Sequence, residues 1–304
     1  MEAIEVLLSM DIGGTNCRMG LCSRDGTLYE KEIVSTETMA EEGFADALVR
    51  RMRAFLQRAG KAYAVRGIAM GFPATIDKAR RVVLQAPAIA GMEHFAVCDL
   101  LEGAFGLPVF LEKDVNLLFE YDRKNLHLPD EGLAIGIYFG TGIGNAIFYN
   151  GKPFLGANGV AGELGHIPQW KNTRECGCGN IGCLEPFGGG KRLAELCRTT
   201  HPDANIRTIY RDCAGDPDVW GQVDAMAIAV ATEVNILDPA YVVLGGGLLQ
   251  MEGFPIPYFE QKIRAYVRKP YPEQNLRLVY SRPDQENGII GAAFYGWEQL
   301  NRQA

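Results

Sequence analysis

The stretch GELGHIPQWKNTRECGCGNIGCLE, residues 162–185, is the most informative part of the chain. It places one histidine and three cysteines in the pattern H-x9-C-x-C-x4-C, at His166, Cys176, Cys178 and Cys183. Zinc binds four nitrogen and sulfur ligands tetrahedrally, and three cysteines with one histidine form a known structural set. Short loops seldom carry three cysteines without a metal or a disulfide, although incidental buried thiols are the simpler alternative. We therefore expect a structural zinc ion to fix this loop.

Two carboxylates flank the predicted zinc site, Glu163 near its start and Glu185 after it. A fixed loop would aim both at a ligand, and a carboxylate accepts hydrogen bonds from pairs of hydroxyl groups. His166 keeps a second ring nitrogen that can donate or accept when the first binds a metal. These residues together suit a polyol ligand, and the alternative is that both glutamates are exposed loop charges.

Length and composition limit the class of protein. The chain has 304 residues, 47% of them hydrophobic and 22% charged, which suggests about two globular domains. The net charge is −7, and acidic and basic residues are interspersed along the chain without a basic face. We therefore expect no nucleic-acid partner. No apolar run approaches the roughly 18 residues of a membrane span, so no membrane partner is expected.

The cysteines and the N-terminal stretch bear on location. Eight scattered cysteines do not resemble a disulfide framework. The opening MEAIEVLLSMDIGG has neither the basic region nor the cleavage site of a secretory signal. We therefore expect a cytoplasmic protein.

Two similar strand–turn–strand units predict an internal repeat. Residues Ile4–Met10 form an apolar run, followed by Asp11-Ile-Gly-Gly-Thr15 and the second run Cys17–Cys22. Gly132–Gly140 likewise runs into Thr141-Gly-Ile-Gly144 and a returning strand. In both units glycine turns one strand into another, unlike the glycine loop of a dinucleotide-binding fold, which opens a helix.

Elsewhere strands alternate with amphipathic helices, which predicts layered α/β domains. The predicted helices are Glu41–Ala59, Val97–Phe105, Val115–Tyr121, Gly189–Cys197, Ile206–Arg211, Asp218–Leu237, Phe259–Tyr266 and Ile289–Leu300. The further strands are Leu28–Val34, Val65–Gly71, Val109–Leu111, Tyr241–Leu244 and Leu276–Tyr280, with a short strand and loop over Val82–Ala90. We place the domains at residues 1–113 plus 288–304 and at residues 114–287.

Three glycine clusters that follow strands suit phosphate or nucleotide. Glycine lets backbone N–H groups approach oxygens without a Cβ clash, and successive N–H groups form an anion site. An acidic strand end beside the first turn is placed to hold Mg2+. The predicted ATP and phosphate residues are Asp11, Gly13, Gly14, Thr15, Thr141, Gly142, Gly245, Gly246 and Gly247. For each cluster the alternative is an ordinary turn glycine.

Asp114 follows a predicted strand and precedes a predicted helix. A carboxylate there could accept the proton of a hydroxyl that attacks a γ-phosphate, as in many phosphoryl transferases. Aspartate is also favoured as a helix N-cap. From spacing alone the N-cap is the preferred interpretation, and one residue could serve both purposes.

Taken together, these motifs resemble the ROK family of repressors, open reading frames and kinases. Asp11–Thr15 and Gly140–Gly144 are similar to its two phosphate motifs. Gly162–His166 with Cys176–Glu185 is similar to its zinc and sugar signature, and Val242–Gly247 to its adenosine motif. The resemblance extends from Asp11 to Gly291.

The resemblance implies a two-domain, actin-like and hexokinase-like fold of the ribonuclease H-like type, an ATP-dependent sugar kinase activity, and ATP, Mg2+ and structural Zn2+ as cofactors. It implies that Asp114 is the catalytic base and Asp11 a magnesium-associated residue. Glu163, His166 and Glu185 would contact the sugar, and His166 would also bind zinc with the cysteines. Members often form homodimers.

Asp11 lies so near the first residue that we expect no helix-turn-helix before it, which favours a kinase over a repressor. A sugar-sensing regulator without turnover is the alternative from another functional class. The intact Asp114 and both phosphate turns argue against that alternative.

The catalytic segment departs from the glucokinase-like pattern. Those members carry Asn-Asp, whereas this chain has Lys113-Asp114. Lys113-Asp-Val-Asn-Leu117, together with Gly71-Phe-Pro-Ala74, resembles members that phosphorylate D-allose, and it places Lys113 among the predicted sugar contacts. Ala86-Pro-Ala-Ile89 also departs from the common family pattern. D-Allose is the favoured substrate, with glucose, fructose, mannose and N-acetyl amino sugars as alternatives.

Overall fold

The computed structural model of the chain describes residues 3–87, 89–282 and 284–303. Ala88, within the Ala86–Ile89 segment noted above, lies outside the described residues. The strands are β1 (Ile4–Ile12), β2 (Asn16–Cys22), β3 (Leu28–Ser35), β4 (Tyr63–Phe72), β5 (Thr75–Ile76), β6 (Val83–Gln85), β7 (Val109–Lys113), β8 (Leu133–Phe139), β9 (Ile143–Tyr149), β10 (Lys152–Pro153), β11 (Tyr241–Gly245) and β12 (Leu278–Tyr280).

The helices alternate with these strands, which confirms the α/β class. They are α1 (Thr36–Glu41), α2 (Phe44–Ala59), α3 (Val97–Phe105), α4 (Asp114–Asn125), α5 (Glu185–Gly188), α6 (Gly190–Thr199), α7 (Ile209–Asp212), α8 (Pro217–Leu237), α9 (Ile256–Tyr266) and α10 (Asn287–Gln303). Among the described residues no helix is both long and apolar enough to cross a membrane.

Two five-stranded sheets have the same topology. The first has the order β3-β2-β1-β4-β7 and the second the order β10-β9-β8-β11-β12. In each sheet the first strand pairs antiparallel with the second strand in chain order and parallel with the fourth, which is β4 in one sheet and β11 in the other. The repeat that the two glycine turns predict is therefore present in the described structure.

Local turn chemistry explains the hairpin of the second sheet. Asn150 and Gly151 both have positive φ, 49° and 71°, in the tight turn between β9 and β10. Positive φ at both central residues is the requirement of a type I′ hairpin turn, and Asn-Gly meets it at low steric cost. The Asn-Gly pair therefore accounts for the tight connection between β9 and β10.

The chain divides into two compact units. The first contains residues 1–128, 155–160 and 284–304, and the second residues 129–154 and 161–283. This division differs from the sequence-based boundary after residue 113, because α4 belongs to the first unit. It packs against α10 so closely that a Cβ at Gly291 would lie 2.0 Å from the carbonyl oxygen of Leu117.

Each unit has its own core. In the first unit, alternate residues of β1 point to opposite faces of the sheet. Val6, Leu8 and Met10 pack with α2 and α3 on one face, whereas Leu7 packs with α10 on the other. In the second unit, β8 and β11 pack against α8, which is buried along much of its length.

Local differences from the sequence-based assignment occur at element ends. Asn287 and Gly288 lie inside the first turn of α10 and do not precede it. The segment Ile206–Arg211 is a 3-10 turn followed by the short α7. Helix α1 was not predicted, and Ser35 caps it by accepting a hydrogen bond from the Thr38 N–H.

Candidate active site

Asp11 lies in the middle of a polar row across the first sheet. It pairs in register with Arg18 of β2 and with Gly71 of β4, and Gly71 pairs in turn with Glu112 of β7. The Arg18 guanidinium lies 3.8 Å from the Asp11 carboxylate, whose side chain is 22% exposed. Burial, and then the charge of Asp114, raises the Asp11 pKa to about 6, while Arg18 opposes this rise. A cation bound here would favour the ionised form.

Gly288, in the first turn of α10, lies directly against Asp11. A Cβ at that position would lie 2.5 Å from Cγ of Asp11, which is far inside contact distance. The close approach therefore depends on glycine. This role was not recognised in the sequence, because Asn287-Gly288 resembles an ordinary turn.

The first glycine turn, residues 13–15, connects β1 to β2 as expected. The Gly13 N–H donates to the carbonyl of Asn16 at 2.9 Å. The Thr36 hydroxyl donates to the Gly13 carbonyl at 2.7 Å, and the Thr36 N–H to the Thr15 carbonyl at 2.9 Å. Gly14 and Thr15 are exposed. The start of α1 thus holds the carbonyls of the turn while its tip faces solvent.

Asp114 is the first residue of α4, and Lys113 occupies the cap position without a side-chain cap bond. Oδ1 of Asp114 accepts a hydrogen bond from the Val115 N–H at 2.7 Å. Gly71 permits this arrangement, because a Cβ there would lie 3.1 Å from the Asp114 Cα. The half-buried carboxylate therefore stands at a strand–helix junction whose backbone packs closely on β4.

A buried ionic cluster beside this junction was missed by the sequence reasoning. Glu112, 1% exposed, accepts hydrogen bonds from the Lys113 N–H at 2.8 Å and from the Asn116 amide at 3.0 Å. Arg80 lies 3.2 Å from the same carboxylate and donates to the Gly159 carbonyl at 3.0 Å. Burial raises the Glu112 pKa, and Arg80 opposes the rise. Lys113, predicted to contact sugar, is itself only 8% exposed.

The second glycine turn, residues 140–142, is closed by a hydrogen bond from the Gly140 N–H to the Gly142 carbonyl at 3.0 Å. The first residue of α6 supports it, since the Gly190 N–H donates to the Gly140 carbonyl at 2.8 Å. On the other side, Oε2 of Glu185 accepts from the Ile143 N–H at 2.9 Å. The predicted Thr141 and Gly142 therefore lie in a turn that is braced by later parts of the second unit.

The third glycine cluster follows β11 as predicted, but its glycines have different surroundings. A Cβ at Gly246 would lie 2.4 Å from the Phe139 carbonyl oxygen, and one at Gly245 would lie 2.7 Å from the Tyr138 ring. Packing onto β8 accounts for these two glycines. A Cβ at Gly247 would meet no atom within 4 Å, and this residue is exposed.

The four predicted zinc ligands come together in the second unit. His166, Cys176, Cys178 and Cys183 offer ligand atoms that all lie within 4.8 Å of one another. The Cys178 and Cys183 sulfurs are 3.7 Å apart, and Nδ1 of His166 is 3.5 Å from the Cys176 sulfur. Tetrahedral bonds of about 2.3 Å to sulfur and about 2.0 Å to nitrogen require ligand separations of roughly 3.5–3.8 Å. The residues therefore fit a tetrahedral cation.

Short backbone pairings fold this cluster. The Cys176 N–H donates to the Asn180 carbonyl, and the Leu184 N–H to the Ile167 carbonyl, at 2.8 and 3.0 Å. A hydrogen bond from the Asn180 backbone lowers the Cys178 pKa, whereas burial raises that of Cys183 to about 12. A bound cation would ionise such thiols, since a coordinating thiol loses its proton.

Three of the four predicted sugar contacts, all except Lys113, lie around the same cluster. With Nδ1 of His166 directed at Cys176, Nε2 lies 3.7 Å from Oε2 of Glu163, too long for a direct hydrogen bond. The intervening Gly165 packs on Glu185, where a Cβ would lie 3.3 Å from the Glu185 Cβ. The structure thus places Glu163, His166 and Glu185 around one 3-10 turn, Leu164–His166.

Comparison with known proteins gives consistent results. A model of the ROK family matches residues 7–298. A glucokinase of Thermotoga maritima is 27% identical over 314 residues, covering 94% of this chain and 96% of the relative. An N-acetyl-D-glucosamine kinase of Aliivibrio salmonicida is 28% identical over 301 residues, covering 93% and 97%. The solved structure of a ROK hexokinase from Thermus thermophilus has a TM-score of 0.77 at 30% identity, covering 98% of this chain and 99% of that one.

Proposed function

This chain belongs to the ROK family, and on that premise we propose that it transfers the γ-phosphoryl group of ATP to the 6-hydroxyl of a hexose, with Asp114 as the general base. That it is an ATP-dependent sugar kinase follows from the family and from relatives of nearly equal length that are named as sugar kinases. The observation that supports the base is Asp114 at the strand–helix junction beside Asp11.

In this reaction the hexose oxygen attacks the γ-phosphorus, the bond from that phosphorus to the bridging oxygen breaks, and ADP leaves. Asp114 would take the proton of the hydroxyl as attack proceeds. Phosphoryl transfer depends mainly on positioning and on stabilising the charge of the transferred group. The first glycine turn, with the exposed Gly14 and Thr15, would supply donors to phosphate oxygens.

Two metals accompany this proposal. Mg2+ would supply charge neutralisation to the ATP phosphates, and Asp11 is the residue that would hold it. Zn2+ would be held by His166 and the three cysteines, as their separations allow. Its role would be structural, because four protein ligands leave no position for a reacting molecule.

We propose D-allose as the favoured sugar, on the Lys113-Asp114 pair and the accompanying motif resemblance. The relatives named above favour glucose and N-acetyl-D-glucosamine as the alternatives. Lys113 is buried beside Glu112, so its effect on the sugar could act through the shape of the junction as well as through contact.

The test is an ADP-release assay with ATP and Mg2+ across D-allose, D-glucose, D-mannose, D-fructose, N-acetyl-D-glucosamine and N-acetylmannosamine. A clearly highest kcat/KM for D-allose would support the narrower proposal. A higher value for another hexose would retain the kinase and replace its substrate. No turnover of any hexose would contradict the proposed reaction and favour a sugar-sensing regulator.

A further inference from the structure

Glu185 makes a contact that a sugar ligand alone does not explain. Its Oε2 accepts a 2.9 Å hydrogen bond from the Ile143 N–H, at the end of the second glycine turn. The same oxygen lies so close to Gly142 that a Cβ there would be 2.2 Å from it. A residue assigned to the sugar therefore lies against the turn assigned to phosphate.

Neighbouring elements support the contact between Glu185 and the second glycine turn. The Gly190 N–H holds the Gly140 carbonyl from the other side, and Glu185 itself begins α5 directly after Cys183 and Leu184, both 1% exposed. Glycine at position 142 leaves room for the Glu185 carboxylate at that distance. The neighbouring residues position the Glu185 backbone, whereas its carboxylate is the end of a flexible side chain and can leave the turn.

A carboxylate and a phosphate compete for such a position. Both are anions, and both accept hydrogen bonds from backbone N–H groups. The Ile143 N–H carries a single hydrogen, so a phosphate oxygen can use it fully only when Glu185 gives it up. Like charges at contact distance also repel, and they do so more strongly where water is partly excluded.

We propose that Glu185 makes nucleotide binding at the second glycine turn depend on the sugar. In the free protein its carboxylate covers the Ile143 N–H. Sugar hydroxyls offer the carboxylate replacement donors and draw it from the turn, which opens the N–H to a phosphate oxygen. This inference rests on the proposed function for the assignment of the turn to ATP and of Glu185 to sugar.

Coupling between sugar and nucleotide binding would limit the hydrolysis of ATP, and its effect on affinity can be estimated. A kinase that holds ATP before its sugar arrives gives water the chance to attack, whereas sugar-dependent binding reduces that side reaction. Coupling between two ligands is reciprocal and amounts to about 5–150-fold in typical cases. We expect sugar and nucleotide each to strengthen the binding of the other by about tenfold.

The experiment measures Mg2+–AMP-PNP affinity by titration calorimetry, with and without saturating D-allose or D-glucose. In Glu185→Gln the side chain keeps its shape and an acceptor oxygen but loses its charge. We expect sugar-free nucleotide affinity to rise by about tenfold over the wild type. Glu131→Gln is the matched control, because it makes the same change at an exposed glutamate of the second unit that has no assigned role in binding. It should keep the wild-type sugar-free affinity.

Equal sugar-free affinity in Glu185→Gln and the wild type would overturn the inference. Weaker affinity in the variant would also overturn it, since Glu185 would then only brace the turn. The same holds if neither protein binds the nucleotide. Thermal unfolding of each variant checks that it is folded. Hexose turnover by the wild type is scored separately, so increased affinity without turnover would reject the proposed function alone.

Discussion

At the scale of single residues, Asp114 carries the most specific chemical assignment. Replacement by asparagine keeps the size of the side chain and its place at the start of α4 but removes the proton acceptor. General-base catalysis contributes about 10²–10⁴-fold to such reactions. We therefore expect Asp114→Asn to lower kcat by that factor while hexose binding, measured by calorimetry, changes little.

A matched control for this variant is Asp203→Asn, which alters an exposed aspartate in the second unit. Its kcat should equal that of the wild type. Near-normal turnover in Asp114→Asn would remove Asp114 as the base. A loss of hexose binding as large as the loss of kcat would instead assign Asp114 to recognition of the ground state.

Some residues of the candidate site could be predicted from the sequence, and others could not. Asp11 and Asp114 were identified because each follows an apolar strand, a local signal. The ion pair of Glu112 and Arg80 could not be predicted, because it joins positions far apart in the chain and no local pattern marks the pairing. The close approach of Gly246 to the backbone of Phe139 also requires glycine, and no local pattern reveals that contact.

At the scale of secondary structure elements, the packing of α10 on α4 depends on Gly291. A Cβ there would lie 2.0 Å from the Leu117 carbonyl oxygen, so the two helices would have to separate. Such overpacking costs about 1–3 kcal/mol. We expect Gly291→Ala to lower the free energy of unfolding by that amount in urea titrations, and to lower kcat because α4 begins with Asp114.

The control for this change is Gly103→Ala in α3. A Cβ at Gly103 would meet nothing within 4 Å, and alanine in an open helix position gains about 0.5–1 kcal/mol over glycine. The two alanine variants should therefore change stability in opposite directions. A stabilised Gly291→Ala would show that the helices can separate at no cost.

Helix α8 contains a carboxyl group that makes stability depend on pH. Burial raises the pKa of Glu233 from 4.5 to about 7, and its Oε2 has no hydrogen-bond partner within the described part of the chain. The folded state then binds the proton more tightly than the unfolded state, so stability falls as pH rises from about 4.5 to about 7. The loss is complete above that range.

Glutamine at position 233 cannot ionise, so it should remove this loss. We expect Glu233→Gln to be more stable than the wild type at pH 8, by at most about 3 kcal/mol, and to show little difference at pH 4. Urea unfolding at both pH values measures this, with the exposed Glu131→Gln as control. A variant that is less stable at pH 8 would mean that the ionised group has a stabilising partner.

At the scale of the whole molecule, much of the fold was predictable because the repeat has local signals. Both sheets begin with a strand–glycine turn–strand unit. In the second sheet, Asn150-Gly151 also marks the hairpin between β9 and β10. The division into units was less predictable. Which unit a helix joins depends on side-chain packing, such as that of α4 on α10, and not on the position where a strand ends.

A metal at the His166 cluster would affect the stability of the chain as a whole. The loop from Gly162 to Glu185 has little regular structure, and its four ligand atoms lie close enough for one cation. Binding to the folded state alone stabilises it by about 4 kcal/mol when free metal is roughly a thousandfold above Kd. We therefore expect about one zinc per chain by mass spectrometry, and a lower Tm after chelation.

Cys178→Ser should lose the zinc and lower the Tm as chelation does, since it removes one thiolate and keeps the size of the side chain. Because Glu163, His166 and Glu185 lie in or beside this loop, zinc loss should also weaken sugar binding, as measured by calorimetry. Cys213→Ser, at a half-buried thiol outside the cluster, is the control and should keep the metal. Wild-type zinc content and Tm in Cys178→Ser would exclude Cys178 as a ligand. Lost zinc with unchanged ligand affinities would confine the metal to stabilising its own loop.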